Sequence, residues 1–131
     1  MSTGVLDTSV FIAAESGRSL QQDMLPDEGL VTVITLAELE AGVLAAKTTD
    51  DRAARLRTLT SLTDLELLEI NAAVAHEWAR LRFKLAQAGR KVNVNDLWIA
   101  VIAAAQDLPI VTQDDDFDAI ATHGGITVIR V

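Results

Sequence analysis

Strand-forming and helix-forming stretches alternate from one end of this 131-residue chain to the other, with no low-complexity linker and no repeat of fixed period. Val5-Leu6 is a short apolar run ending at Asp7, with Thr8 and Ser9 as candidate N-caps for a helix through Val10–Ala14. A short helical patch follows at Leu20–Leu25 and stops before Pro26. Leu30–Ile34 is rich in β-branched residues and reads as a buried strand. Thr35-Leu36-Ala37-Glu38 has the capping-box form and opens a helix to about Ala46. Leu56, Leu59 and Leu62 give Arg52–Leu62 a helical stripe, and Leu65–Ile70 reads as a third strand. Asn71 precedes the most amphipathic segment, in which Val74, Trp78, Leu81, Leu85 and Ala88 recur at helical spacing until Gly89. A nearly all-apolar helix over Asp96–Gln106, capped by Asn95, must be buried. Leu108–Thr112, Asp116–Thr122 and Ile126–Val131 complete the series as strand, helix and strand.

Such alternation predicts an α/β fold with a parallel sheet and helices on both faces. Half the residues are hydrophobic, enough for one domain spanning residues 1–131 around a real core. The longest apolar run, Leu97–Ala105, is about half of the ~20 residues a membrane span needs, and no signal-peptide pattern opens the chain. The chain has no cysteine, which removes thiolate metal sites, Cys nucleophiles and disulfides and suits a cytoplasmic setting. A net charge of −8 argues against simple electrostatic binding of nucleic acid. A polyanionic substrate therefore needs a metal ion or a local basic strip.

In parallel sheets, ligands sit beyond the C-terminal ends of the strands. Asp7 follows the first strand, Glu38 lies in the helix after the second, Asp96 opens the buried helix, and Asp114-Asp115-Asp116 follow the strand ending at Thr112. One edge of the sheet should collect them. At ~4 Å and an effective dielectric of about 20, each pair of ionised carboxylates repels by roughly 4 kcal/mol. A captured dication relieves that repulsion better than protonation does. With abundant carboxylates and two histidines (His76, His123) lacking ligand spacing, the ion is Mg²⁺ or Mn²⁺ rather than Zn²⁺. Such a site suits phosphodiester hydrolysis, with Glu38 as candidate general base. Each acid also has a plainer reading: Glu38 as partner of Thr35 in a capping box, Asp114 as cap of the short helix, Asp96 as a first-turn complement to the helix dipole.

Four blocks then resemble one family. Val5-Leu6-Asp7-Thr8-Ser9-Val10-Phe11-Ile12, Thr35-Leu36-Ala37-Glu38-Leu39 with Gly42, Asn95-Asp96-Leu97-Trp98-Ile99-Ala100, and Val111-Thr112-Gln113-Asp114-Asp115-Asp116-Phe117 are similar, in order, to the motifs of PIN-domain ribonucleases. The resemblance is closest to the VapC-type toxins of bacterial toxin–antitoxin pairs. It implies a three-layer α/β/α sandwich with about five parallel strands. It also implies Mg²⁺- or Mn²⁺-dependent endoribonuclease activity on single-stranded or looped RNA, such as tRNA or rRNA loops, that inhibits translation and growth. A homodimer and a VapB-type antitoxin partner are implied as well. Carried over by position, Asp7, Glu38, Asp96 and Asp114 are the acidic quartet, and Asp116 is a further metal ligand. Thr112 and Ser9 support the site. The run of three aspartates leaves Asp114 and Asp116 as alternatives for the fourth acid. Two competing readings remain, a haloacid-dehalogenase-like phosphatase with Asp7 as nucleophile and a non-catalytic Mg²⁺-binding interaction domain. The first wants an acid where Ser9 stands.

Charge is uneven. Between Trp78 and Asn95 lie Arg80, Arg82, Lys84, Arg90 and Lys91 and no acid, a local charge of +5. The three on the helix fit a solvated face, since Trp78, Leu81 and Leu85 take the buried one. Arg90 and Lys91, in the loop leading to Asp96, are candidates for RNA contacts. Trp98, Phe11, Met24 and Leu25 read as core.

Overall fold

The computed structural model describes residues 1–131. In chain order the elements are β1 (Thr3–Leu6), α1 (Thr8–Ser16), a 3₁₀ turn at Gln22–Met24, β2 (Glu28–Thr32), α2 (Val33–Ala45) and α3 (Thr49–Thr60). They continue with β3 (Leu67–Leu68), α4 (Ala72–Gln87), α5 (Val94–Ala105), β4 (Ile110–Thr112), α6 (Asp118–Gly124) and β5 (Val128–Arg130). All five strands are parallel and lie in the order β3-β2-β1-β4-β5. The expected α/β/α sandwich is present. No helix is long and apolar enough to cross a membrane.

Period-two alternation assigns each strand residue to a layer. Val5, Leu30, Leu68, Ile110 and Val128 face the larger core, which is built with Val74, Leu81 and Leu85 of α4, Leu97–Ala103 of α5, and Phe117 and Ile120. Their neighbours point the other way. Leu6, Val111 and Ile129 pack with Val10 of α1, and Val31 and Leu67 pack with Leu39 of α2 and Leu59 and Leu62 at the end of α3. Ile110 and Val111 are both fully buried, one on each face. Burial of this kind contributes about 1.5–3 kcal/mol per side chain. β1 and β2 lie close: a Cβ on Gly29 would stand 2.6 Å from Leu6 Cδ1, so a larger residue there requires the Leu6 side chain to shift.

The helix starts differ from those expected, with consequences for the site. Asp7 itself caps α1, rather than Thr8 or Ser9, and its side chain accepts the Ser9 N–H. Thr32, not Thr35, caps α2, so β2 ends at Thr32 and Val33-Ile34 form the first turn of the helix. Glu38 thereby falls a turn beyond capping reach. Asn93, not Asn95, caps α5 and accepts from the N–H groups of Asn95 and Asp96. The cap of α6 is Phe117, with no side-chain bond, so Asp114 is not a cap and Asp116 precedes the helix. The Leu20–Leu25 patch shrinks to the 3₁₀ turn, and Met24 is exposed rather than core. The third strand is only two residues long; Glu66, Glu69 and Ile70 beside it are exposed, which keeps this edge short.

Candidate active site

β1 pairs with β2 on one side, and the chain later returns to place β4 on the other. The C-terminal ends of β1 and β4 therefore flank the switch point of the sheet, where α/β folds leave a crevice. Asp7 leaves β1 at this point and is only 3% exposed. Its Oδ2 accepts from the Thr112 hydroxyl at 3.0 Å and from Ser9 N–H at 3.3 Å. Thr112, fully buried at the end of β4, has a single hydroxyl proton, and that proton goes to Asp7. Its lone pairs are left for Asp114 N–H at 3.1 Å and Ser9 Oγ–H at 3.2 Å. Ser9 Oγ accepts in turn from Gln113 N–H at 3.0 Å. One chain of bonds thus runs from the backbone after β4 through Ser9 and Thr112 to Asp7, each polarising the next. Ser9 and Thr112, read in the sequence as supporting residues, are both members of this chain of bonds.

Glu38 is held by a second chain, which sequence reading missed. Thr8 Oγ1 donates to Glu38 Oε1 at 2.8 Å and lies 2.9 Å from Thr35 Oγ1. With the Thr8 proton committed to Glu38, Thr35 is the donor to Thr8. Thr35 is positioned by its own N–H, which bonds the capping oxygen of Thr32 at 3.3 Å. The only early signal for Thr8 was its place beside Asp7.

Asp96 and Asp114 have no such support on their carboxylates. Asp96, in the first turn of α5, has its pKa raised from 3.8 to about 7. Burial is the main cause, followed by the charges of Asp7, Asp116, Glu38 and Asp114. The other four acids singled out in the sequence thus all act on Asp96. Asp114 is also raised, by burial first and then by Asp7 and Asp116, while Arg18 and Arg130 pull it down. These two cations, from the turn after α1 and from β5, carried no spacing signal. Arg130 Nη2 also donates to Gln113 O at 3.2 Å. Asp115 and Asp116 are exposed.

The acids are gathered without being closed on one another: no three Asp, Glu or His side chains stand close enough to enclose an ion among them. The donors are nonetheless all oxygen, from carboxylates of unrelieved mutual repulsion beside a hydroxyl-lined floor. His76 is exposed and His123 lies at the end of α6, away from this edge of the sheet. Arg90 and Lys91 do not join the acids. They line a groove of about 550 Å³ between the end of α4 and the start of α5, with Arg82, Leu85, Val92 and Val94. Trp98 is half-buried and stacks on Trp78 at 4.7 Å and 14°, with Arg82 over the outer ring at 5.2 Å.

Acids gathered at the switch point of a five-stranded parallel sheet define a class of α/β domains that bind ligands beyond the strand ends. Comparison with known proteins narrows it. Residues 4–122 match the PIN domain. The chain is 57% identical to ribonuclease VapC5 of Mycobacterium tuberculosis over 98% of its own length and 95% of the relative's. It is 41% identical to ribonuclease VapC4 of the same organism over 93% and 94%. The fold superposes with a TM-score of 0.92, at 53% identity and full coverage of both chains, on a crystal structure of VapBC-5, a member of the VapBC family of toxin–antitoxin systems from M. tuberculosis. The chain belongs to the PIN-domain family, among the VapC ribonucleases.

Proposed function

We propose that this chain, as a single PIN domain, is a divalent-metal-dependent endoribonuclease and the toxin of a toxin–antitoxin pair. The observation that carries the reading is the meeting of Asp7, Glu38, Asp96 and Asp114 at one end of β1 and β4, where burial first and then the neighbouring acidic charges raise Asp96 to about 7. Relatives named as ribonucleases over nearly the whole length support the substrate class.

The donor set fits Mg²⁺ or Mn²⁺. These hard ions take oxygen ligands, and Mg²⁺ keeps several waters and needs only one or two direct carboxylates, which suits acids that are gathered but not closed. Asp7, Asp96 and Asp114 would hold the ion, with Asp116 at the exposed rim. Asp114 is the principal fourth acid, because its backbone is tied to Thr112 whereas Asp116 is exposed. A dication held there would supply polarisation of a phosphate oxygen, a more acidic attacking water and stabilisation of the leaving oxygen. The chain's own residues do the rest. Glu38 keeps Oε1 on Thr8 and leaves Oε2 to accept a proton from the attacking water. The Ser9–Thr112 chain fixes Asp7 so that one oxygen stays committed and the other is available. Half-burial of Asp96 keeps bulk water from screening the charges that act on the phosphate.

The phosphatase reading loses ground: where it needs a second acid, Ser9 is engaged by Thr112 and Gln113. A VapB-type antitoxin as partner is supported by the VapBC-5 structure that the chain superposes on. A homodimer and a cytoplasmic location complete the proposal. The test is cleavage of RNA by the purified protein with Mn²⁺ or Mg²⁺, then with EDTA. Cleavage that stops with chelator and is absent from Asp96→Asn supports the reading; RNA left intact with either metal ends it.

A further inference from the structure

Resting on that reading, we infer that the groove between α4 and α5 is a subsite for the phosphate backbone of single-stranded RNA outside the scissile position, with Arg82, Arg90 and Lys91 as its phosphate contacts. The five cations between Trp78 and Asn95 divide into two sets. Arg80 is paired with Glu77, and Lys84 donates to His123 O at 3.1 Å, so both are engaged within the fold. Arg82, Arg90 and Lys91 have no ion-pair or hydrogen-bond partner, are exposed, and converge on one groove of about 550 Å³. Three unpaired cations around a recess in a chain of charge −8 call for an anion.

The groove is placed for substrate. Val94 lines it and opens α5, and Asp96 follows two residues later in the same turn, about 3 Å further along the axis. The two side chains stand about 200° apart around the helix, so a strand with a phosphate at Asp96 reaches the groove by passing round the N-terminus of α5. Arg82 is held in advance by its position over Trp78, itself stacked on Trp98, which lowers the ordering cost of a phosphate contact. The apolar wall from Leu85, Val92 and Val94 offers contact to sugar and base without selecting a sequence. An RNA whose scissile site lies in an open loop presents such a backbone, and a closed duplex does not.

The experiment measures binding of a labelled single-stranded RNA oligonucleotide to full-length Asp96→Asn protein with Mg²⁺ over a salt series. The triple variant Arg82→Gln/Arg90→Gln/Lys91→Gln is compared with Arg80→Gln/Lys84→Gln and with the charge-keeping Arg82→Lys/Arg90→Lys. Each lost phosphate contact lowers the slope of log K against log salt by about 0.7, so the triple variant should lose about 2 in slope and roughly tenfold in affinity. The lysine variant should keep the parent slope, and the Arg80/Lys84 variant should change it less. An unchanged slope in the triple variant overturns the subsite while parent binding still supports the nuclease. A parent that binds no RNA overturns the subsite, while cleavage by the unsubstituted protein decides the nuclease separately. A triple variant that loses dimer mass in light scattering, with the salt slope intact, assigns the groove to a second copy and also overturns the inference.

Discussion

The four acids fall into two pairs that solve the same problem in opposite ways. Asp7 and Glu38 each receive a hydroxyl bond, from Thr112 and from Thr8. Asp96 and Asp114 are fixed through their backbone N–H groups, to Asn93 and Thr112, and their carboxylates receive nothing from the chain. The first pair is built into the fold, since Asp7 is also the cap of α1. The second pair is left electrostatically strained, and its charges are raised in pKa by burial and by neighbouring acids. Under the proposed uptake of a dication, the two kinds would divide the work, one fixed in advance and one whose charge repulsion the ion would relieve.

The largest effects separate the pairs by stability. Asp96→Asn and Asp7→Ala should each lower cleavage by about 10²–10⁴-fold, the range set by loss of an essential group. Their folds should respond in opposite directions. Asp7→Ala removes the cap of α1 and strands the buried Thr112 hydroxyl, a loss of about 2–4 kcal/mol. Asp96→Asn removes a strained charge. Because Asp96 holds its proton more tightly folded than unfolded, the metal-free parent binds the extra proton between about pH 4 and 7. Its stability therefore falls as pH rises through that window, and the loss is complete above about 7. At pH 8 the Asn variant should be more stable than the parent by about 1–2 kcal/mol after allowing for solvent screening. Denaturant melts at pH 5 and pH 8 check this; a parent equally stable at both pH values would dissolve the distinction between the pairs.

Adding Mn²⁺ to the parent should erase the same penalty. Binding at pH 6 should release a fraction of a proton and raise Tm, both measurable by calorimetry in buffers of different ionisation enthalpy. Next in size is Thr112→Val, which keeps the side-chain shape and removes one hydroxyl. Asp7 loses a donor, and Asp114 N–H and Ser9 O–H lose their acceptor, at a cost of about 1–3 kcal/mol. Because the hydroxyl joins the two pairs, both should shift, with a fall in kcat of roughly ten- to a hundredfold.

The same division marks what the sequence revealed. Parallel alternation, the places of Asp7 and Asp114 after strands and that of Asp96 at a helix start were legible because they follow from local periodicity. Helix starts were not: Thr35, three residues before Glu38, fits a capping box as well as Thr32 does the true cap, and only the sheet decides where β2 stops. The basic segment was legible as charge but not as geometry, since only packing shows that Lys84 reaches His123 O while Arg82 joins the loop cations. Arg18 and Arg130 were invisible for a related reason. They come to Asp114 through chain closure, from the turn after α1 and from the last strand.

The smallest prediction tests whether support of the fixed pair is positional or merely structural. Thr8 is buried, and its hydroxyl is the only donor from the chain to Glu38. Thr8→Val retains the volume of the side chain and breaks both the bond to Glu38 and the acceptor for Thr35. If the bond serves to hold Glu38 toward the water it deprotonates, kcat should fall by about tenfold with KM unchanged, because binding of RNA does not involve this oxygen. Thr8→Ser restores the donor without the methyl group and should recover most of the rate, although it loses a little packing against Thr35. Thr35→Val provides the internal contrast. It leaves the Thr8–Glu38 bond in place and removes only the donor behind it, so its effect on kcat should be smaller than that of Thr8→Val at a similar loss of stability. Equal losses of rate in the two valine variants would mean that the threonine chain stabilises the helix packing and that Glu38 finds its orientation from the substrate.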